Sequence, residues 1–93
     1  MAVYFVGDNR SINSSNYSIC KIEDVVRYCE SKTLLGIDTE TEGFDFLTKK
    51  LLMFQIGDQE HQFVIDTRVV SIEPLRGVLE SKNICKILHN IKF

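Results

Sequence analysis

The stretch "LLGIDTETEGF", residues 34–44, constrains the fold more than any other part of this 93-residue sequence. It opens with a nearly continuous apolar run, Leu34 to Asp38, which is typical of a central strand with both faces covered. A strand of that kind needs other elements packed against it, so the run predicts a layered α/β arrangement. The length of the chain is sufficient for one small domain.

The remaining apolar patterns predict helices and strands on both sides of this run. In chain order they are a strand at 3–6, a polar loop at 7–18, a helix at about 21–31, strands at 50–57 and 62–66, a helix beginning near 71 and a strand at 84–88. The strands at 50–57 and 62–66 are joined by a short polar loop and predict an antiparallel hairpin. The last strand follows a helix and is expected to lie parallel to the strand at 34–38. The order predicts a mixed sheet, with residues 1–20 as an N-terminal edge strand and polar loop and residues 21–93 as the α/β domain.

Charge and composition exclude several classes of protein. The formal net charge is -2, so no general basic field attracts nucleic acid, and any such contact has to be local or made through bound metal. Cys20, Cys29 and Cys85 form no C-x-x-C pair and are expected to be buried apolar residues in a reducing compartment. No apolar run approaches the ~20 residues of a membrane span, and no basic region precedes the N-terminal apolar stretch. These features favour a cytoplasmic protein with no membrane partner.

Two carboxylates follow the central strand. Asp38 and Glu40 are at positions i and i+2 of an extended segment, so they project from one face, roughly 6.6 Å apart along the chain. Such a pair is repulsive unless it is protonated, separated by water or bridged by cations. Mg²⁺ favours carboxylate oxygens with water, and two such ions are a recurring device for phosphodiester cleavage. The alternative is that Asp38 caps a turn and Glu40 is a solvated loop acid.

A second motif, at the end of the sequence, distinguishes these alternatives. The stretch "DTETEGF" followed some fifty residues later by "HNIKF" resembles the proofreading 3'–5' exonuclease domain of family-A DNA polymerases, a member of the DEDD superfamily. That family has D-T-E-T at the end of its first strand and N-x-K-[FY]-D at the start of the helix after its fourth strand. The resemblance covers about residues 21–93. It implies a ribonuclease-H-like mixed sheet with flanking helices, present here as the first half of the domain.

The resemblance also implies roles for the residues of the first motif. Asp38 would bridge two Mg²⁺ or Mn²⁺ ions, and Glu40 would hold one of them and help to position the attacking water. Thr39 and Thr41 would contact the nucleic acid near the primer end, through the backbone or the hydroxyl groups.

Two further residues match family positions that lie close to the bound strand. Phe44 falls where the family has an apolar wedge against the terminal bases, although a phenylalanine there is equally consistent with a core residue. Asn90 matches the asparagine of the second motif, and it is also a suitable cap for the following helix.

The family's second motif continues with an aspartate, and its third motif supplies a fourth carboxylate and a tyrosine or histidine. The sequence ends at Phe93, before both. The resemblance therefore implies the N-terminal part of a proofreading DNA exonuclease that acts on single-stranded 3' ends. By itself this part is expected to be inactive, to self-associate through the incomplete sheet, or to join the rest of the exonuclease or polymerase in the same or another chain. The alternatives are a ribonuclease-D-like exonuclease and a non-catalytic nucleic-acid-binding or assembly module.

Overall fold

The computed structural model describes residues 1–7, 18–41 and 51–89. Within these ranges the elements are β1 (Ala2–Val6), β2 (Ser18–Ile19), α1 (Ile22–Glu30), β3 (Leu34–Thr41), β4 (Leu51–Gly57), β5 (His61–Asp66), α2 (Arg76–Glu80) and β6 (Cys85–His89). A 3₁₀ turn, Glu73–Leu75, runs directly into α2. No helix in the described ranges has the length and apolar character that crossing a bilayer requires.

The strands of the described ranges form one six-stranded sheet in the order β2-β1-β5-β4-β3-β6. Strand β4 is antiparallel to both of its neighbours, whereas the pairs β1–β2, β1–β5 and β3–β6 are parallel. The last residues of β1, β3, β5 and β6 therefore meet at one edge of the sheet, which we call the carboxyl edge. The opposite edge, which carries the β4–β5 loop at residues 58–60, is the amino edge. The predicted mixed sheet, the hairpin and the parallel last strand are confirmed.

Both described helices pack on the same face of the sheet. Val25 and Cys29 of α1 and Val78 of α2 join one hydrophobic cluster with Leu35 and Ile37 of β3. Because side chains alternate along a strand, Leu35 and Ile37 point to this helix-covered face, and the residues between and after them point to the opposite face. Leu34, on the opposite face, is 52% exposed. The prediction that both faces of β3 are covered is therefore confirmed for the face that carries the helices. Among the described residues, the opposite face is exposed at Leu34.

Two boundaries differ from those predicted. The N-terminal strand was expected at the edge of the sheet, but β2, only two residues long, lies outside it and includes Ser18 from the predicted loop. The helix predicted at about 21–31 begins at Ile22, and Lys21 is its cap residue. The Asp24 carboxylate accepts a hydrogen bond from the Lys21 backbone N–H at 3.0 Å.

The three cysteines lie in different environments. Cys29 is fully buried, and burial raises the pKa of its thiol to about 12. Cys20 is half-buried, and burial together with the nearby Asp24 raises its pKa to about 11. Cys85 is exposed on β6, so the prediction that all three are buried is wrong for this residue.

Candidate catalytic edge of the sheet

Asp38 and Glu40 lie at the carboxyl end of β3. Ile37, just before them, pairs with Ile56 in the core, whereas Asp38 pairs with Gln55 and Glu40 with Met53. Asp38 is half-buried and Glu40 is exposed. Both carboxylates therefore project from the face opposite the helices, next to each other on the strand, as their spacing predicts.

These carboxylates are not used by the described part of the fold. Within residues 1–7, 18–41 and 51–89, neither Asp38 nor Glu40 makes a side-chain hydrogen bond or an ion pair. No group of three His, Cys, Asp or Glu side chains in these ranges forms a complete metal cage. Mg²⁺, however, is commonly held by one or two carboxylates and completes its shell with water and substrate phosphates. The donor set of Asp38 and Glu40 fits that ion.

A β-bulge adjoins the two carboxylates. Glu40 pairs with Met53 but Thr41 pairs with Leu51, so Leu52 is an extra residue on β4. A bulge bends its strand, increases the local twist and often re-aims side chains beside an active site. Here it follows Glu40 directly, so both acids lie in the last regular part of the β3–β4 ladder.

The other residues predicted for the site are placed only in part. Thr39 pairs with Phe54 and so lies on the helix-covered face, on the other side of β3 from the carboxylates. Thr41 is the last residue of β3. His89, the last described residue before Asn90, is the register partner of Asp38 on β6. Phe44 and Asn90 themselves lie outside the described residues.

A third acid, which was not predicted from the sequence, lies at the same edge. Asp66 ends β5 and pairs with Met53, which also pairs with Glu40, so Asp66 and Glu40 share a face. Asp66 is only 2% exposed. The Arg68 guanidinium donates to both of its oxygens, from Nε at 2.9 Å and from Nη2 at 3.0 Å. A signal for this was present, because "IDTR" at residues 65–68 repeats "IDTE" at residues 37–40 except for the last residue.

A fourth acid, Asp58, lies at the amino edge and holds several groups together there. Its oxygens accept hydrogen bonds from the Tyr28 hydroxyl at 2.7 and 2.8 Å and from the backbone N–H groups of Glu60 and His61. Lys32 Nζ lies 3.5 Å from Oδ2. Burial opposes ionisation of Asp58, but the hydrogen bonds outweigh it and lower its pKa to about 2. The contacts fasten the β4–β5 loop to α1.

His61 takes part in the packing at this edge. Its ring stacks on that of Tyr28 with the centroids 4.8 Å apart, and it meets the Tyr4 ring edge-on at 5.4 Å. His61 is the first residue of β5, so these ring contacts join the start of the strand to α1.

Comparison with known sequences finds two matches that agree. The model of the family described as "3'-5' exonuclease" matches residues 18–93. DNA polymerase I of Aquifex aeolicus (strain VF5) is 34% identical to the chain over 73 residues, which are 77% of this chain and 12% of the relative. The chain thus spans about an eighth of the length of that relative.

Solved structures of the same fold include ribonucleases. Escherichia coli RNase D, described as an exoribonuclease involved in structured RNA processing, has a TM-score of 0.71 at 20% identity, over 97% of this chain and 22% of its own. Brucella melitensis NrnC with bound Mg²⁺ has a TM-score of 0.60 at 20% identity, over 97% of this chain and 39% of its own. The predicted ribonuclease-H-like fold is confirmed.

Proposed function

The chain belongs to the 3'-5' exonuclease family, and we propose that it forms the N-terminal part of a proofreading exonuclease that removes nucleotides from single-stranded DNA 3' ends. The observation that carries the proposal is the pair Asp38 and Glu40, which share one face at the carboxyl edge and have no partner among the described residues. The likeness to a DNA polymerase I supports DNA as the substrate. The rest of the exonuclease or polymerase, in the same or another chain, is the expected partner.

We assign the metal site to the same two residues. Asp38 would contact both Mg²⁺ or Mn²⁺ ions, and Glu40 would contact one of them and position the attacking water by accepting its hydrogen bond. When bound, such ions stabilise charge on the attacking and leaving oxygens of the phosphodiester. A neighbour of this fold binds Mg²⁺, which supports the choice of ion.

The residues expected to hold the nucleic acid extend from this pair. Thr39 and Thr41 would contact the strand near its 3' end, and Thr39 would do so through its backbone because its side chain is on the helix-covered face. Phe44 would stack against the terminal bases and Asn90 would lie beside the strand.

The test compares two proteins in the release of labelled nucleotides from single-stranded DNA with Mg²⁺ or Mn²⁺. One is the chain of residues 1–93, and the other is this chain joined to the rest of the exonuclease region of the Aquifex relative. We expect no measurable activity from residues 1–93, because two carboxylates are only part of a two-metal ligand set. The joined protein should be active and should lose activity in Asp38→Ala, whereas Glu60→Ala at the amino edge is the matched control. Activity that survives in Asp38→Ala would refute the assignment.

The ribonuclease-D-like alternative has specific support, because E. coli RNase D has the same fold. DNA and RNA oligonucleotides of one sequence, offered to the joined protein, distinguish the two substrates. A non-catalytic module is distinguished by titration with Mn²⁺, which should raise the melting temperature of the joined protein only if the carboxylates bind metal.

A further inference from the structure

We propose that Arg68 binds a backbone phosphate of the nucleic acid held at Asp38 and Glu40, an inference that rests on the proposed function. The position of Arg68 in the sheet supports this role. Glu40, Met53 and Asp66 are direct register partners across β3, β4 and β5. Two inter-strand spacings separate Glu40 from Asp66, which is about 10 Å. Since Arg68 is bonded to Asp66, its guanidinium lies at the carboxyl edge on the face that carries the candidate metal ligands.

The Arg68 side chain is fixed by Asp66 and still has an N–H group available for a ligand. Nε and Nη2 are engaged by Asp66, whereas Nη1 has no partner among the described residues, and the side chain is 61% exposed. Asp66 is almost completely buried, so the carboxylate that holds the guanidinium is itself fixed. The guanidinium is thus already oriented, and its remaining N–H donors can bind a phosphate. A preorganised donor loses less conformational entropy when it binds.

The other arginines of the described ranges, and Lys32, lie away from the two carboxylates. With a net charge of -2, the chain has no general basic field, so contacts with a polyanion have to be local. Arg27 and Arg76 lie on α1 and α2, on the other face of the sheet, and both are paired with helical acids. Lys32 lies at the amino edge against Asp58. Arg68 is a described cation on the same face and edge as the two carboxylates.

The experiment measures binding of a dye-labelled oligothymidylate to residues 1–93 by fluorescence anisotropy, at constant Mg²⁺ and over a series of KCl concentrations. Each phosphate contact on a single strand contributes about 0.7 to the slope of log K against log salt. Arg68→Gln should therefore reduce the slope by about 0.7 and weaken binding at low salt by about three- to tenfold. Arg27→Gln removes the same charge from α1 and should change neither quantity.

A second variant keeps the test decisive if Arg68→Gln does not fold, which circular dichroism and thermal melts will show. Arg68→Lys retains the charge beside Asp66 but not the fork, so it should retain the slope and bind about threefold more weakly. Unchanged affinity in Arg68→Lys, or an unchanged slope in folded Arg68→Gln, would overturn this inference alone. If residues 1–93 bind no oligonucleotide at low salt, the same variants are compared in the joined protein. If the joined protein does not bind either, the proposed function fails, and this inference fails with it.

Discussion

Nearly the same four residues occur at the carboxyl ends of β3 and β5, "IDTE" at 37–40 and "IDTR" at 65–68, but the two aspartates have different surroundings. Both strands run in the same direction, end at the carboxyl edge and point an aspartate to the face opposite the helices. The fourth residue of "IDTR" is Arg68, two residues beyond the end of β5, and it donates hydrogen bonds to both carboxylate oxygens of Asp66, which is 2% exposed. The fourth residue of "IDTE" is Glu40, and Asp38 is half-buried with no side-chain partner in the described part of the chain.

The charge of the fourth residue therefore distinguishes Asp66, which has a cation as its partner, from Asp38, which has a second carboxylate two residues later. A carboxylate can be buried when a hydrogen-bonded cation accompanies it, as Arg68 accompanies Asp66. A second carboxylate in that position repels the first, so Glu40 cannot accompany Asp38 as Arg68 accompanies Asp66. Among the described residues, Asp38 and Glu40 therefore differ from Asp66 in having no cation beside them.

The largest effect on stability is expected from Arg68→Glu, which changes "IDTR" at the end of β5 to the "IDTE" found in β3. Arg68→Glu leaves Asp66 buried beside another carboxylate, which should lower the free energy of unfolding by about 3–5 kcal/mol. That is a large part of the stability of a small domain, about 5–15 kcal/mol. Urea unfolding followed by circular dichroism measures it. Arg27→Glu, at an exposed pair on α1, should cost less than about 1 kcal/mol, and equal losses in the two variants would contradict the comparison.

The reciprocal substitution, Glu40→Arg, changes "IDTE" in β3 to the "IDTR" found at the end of β5. Glu40→Arg places a cation beside Asp38, so the pair should no longer bind divalent metal. Nucleotide release by the joined protein should fall by at least about 100-fold, the scale for losing one group that stabilises the transition state. The unfolding free energy should stay within about 0.5 kcal/mol, as for other surface changes. Glu60→Arg is the control, and activity retained in Glu40→Arg would remove Glu40 from the site.

A smaller effect on stability is expected at Asp58, whose carboxylate accepts hydrogen bonds within the fold as that of Asp66 does. Tyr28→Phe removes a hydroxyl that donates to Asp58, a hydrogen bond to a charged group worth about 1.5–3 kcal/mol of unfolding free energy. Tyr4→Phe is the matched control. The Tyr4 ring stacks on Phe63 at 5.1 Å, but its hydroxyl makes no bond within the described residues. Equal melting temperatures for the two variants would show that the Asp58 contact contributes nothing.

The smallest expected effect is that of pH on the same acid. The pKa of Asp58 is lowered to about 2 in the folded chain, against about 3.9 for an aspartate in an unfolded one. The unfolded chain therefore binds more protons in this range, and the stabilisation is complete above about pH 4 and is lost as the pH falls through about 2. The effect is moderated because the side chain is still 22% exposed to screening solvent. Urea midpoints at pH 5 and pH 2.5 should differ less in Asp58→Asn than in the unaltered chain, and an equal difference would contradict this prediction.

The features that could be predicted from the sequence are those that depend on residues close together in the chain. The apolar period of residues 34–38 and the short loop before His61 were sufficient for the strands, the hairpin and the shared face of Asp38 and Glu40. Strand β2 was missed because two residues are too few to show a period. The contact between Tyr28 and Asp58 was missed because the residues are 30 positions apart and nothing local connects them.

The pairing of β1 with β5 has a consequence for the synthesis of the chain. Ala2 aligns with His61, so β1 has to wait for about 60 further residues before its partner exists, whereas β4 and β5 are joined by a three-residue loop. Contacts between distant residues slow folding, since a long loop has to close before they form. We expect the first strand made to be the last to join the sheet, and pulsed hydrogen exchange during refolding should show β4 protected before β1. Until β1 arrives, the outer edge of β5 is an unpaired strand in the growing protein, open to pairing with a neighbouring chain.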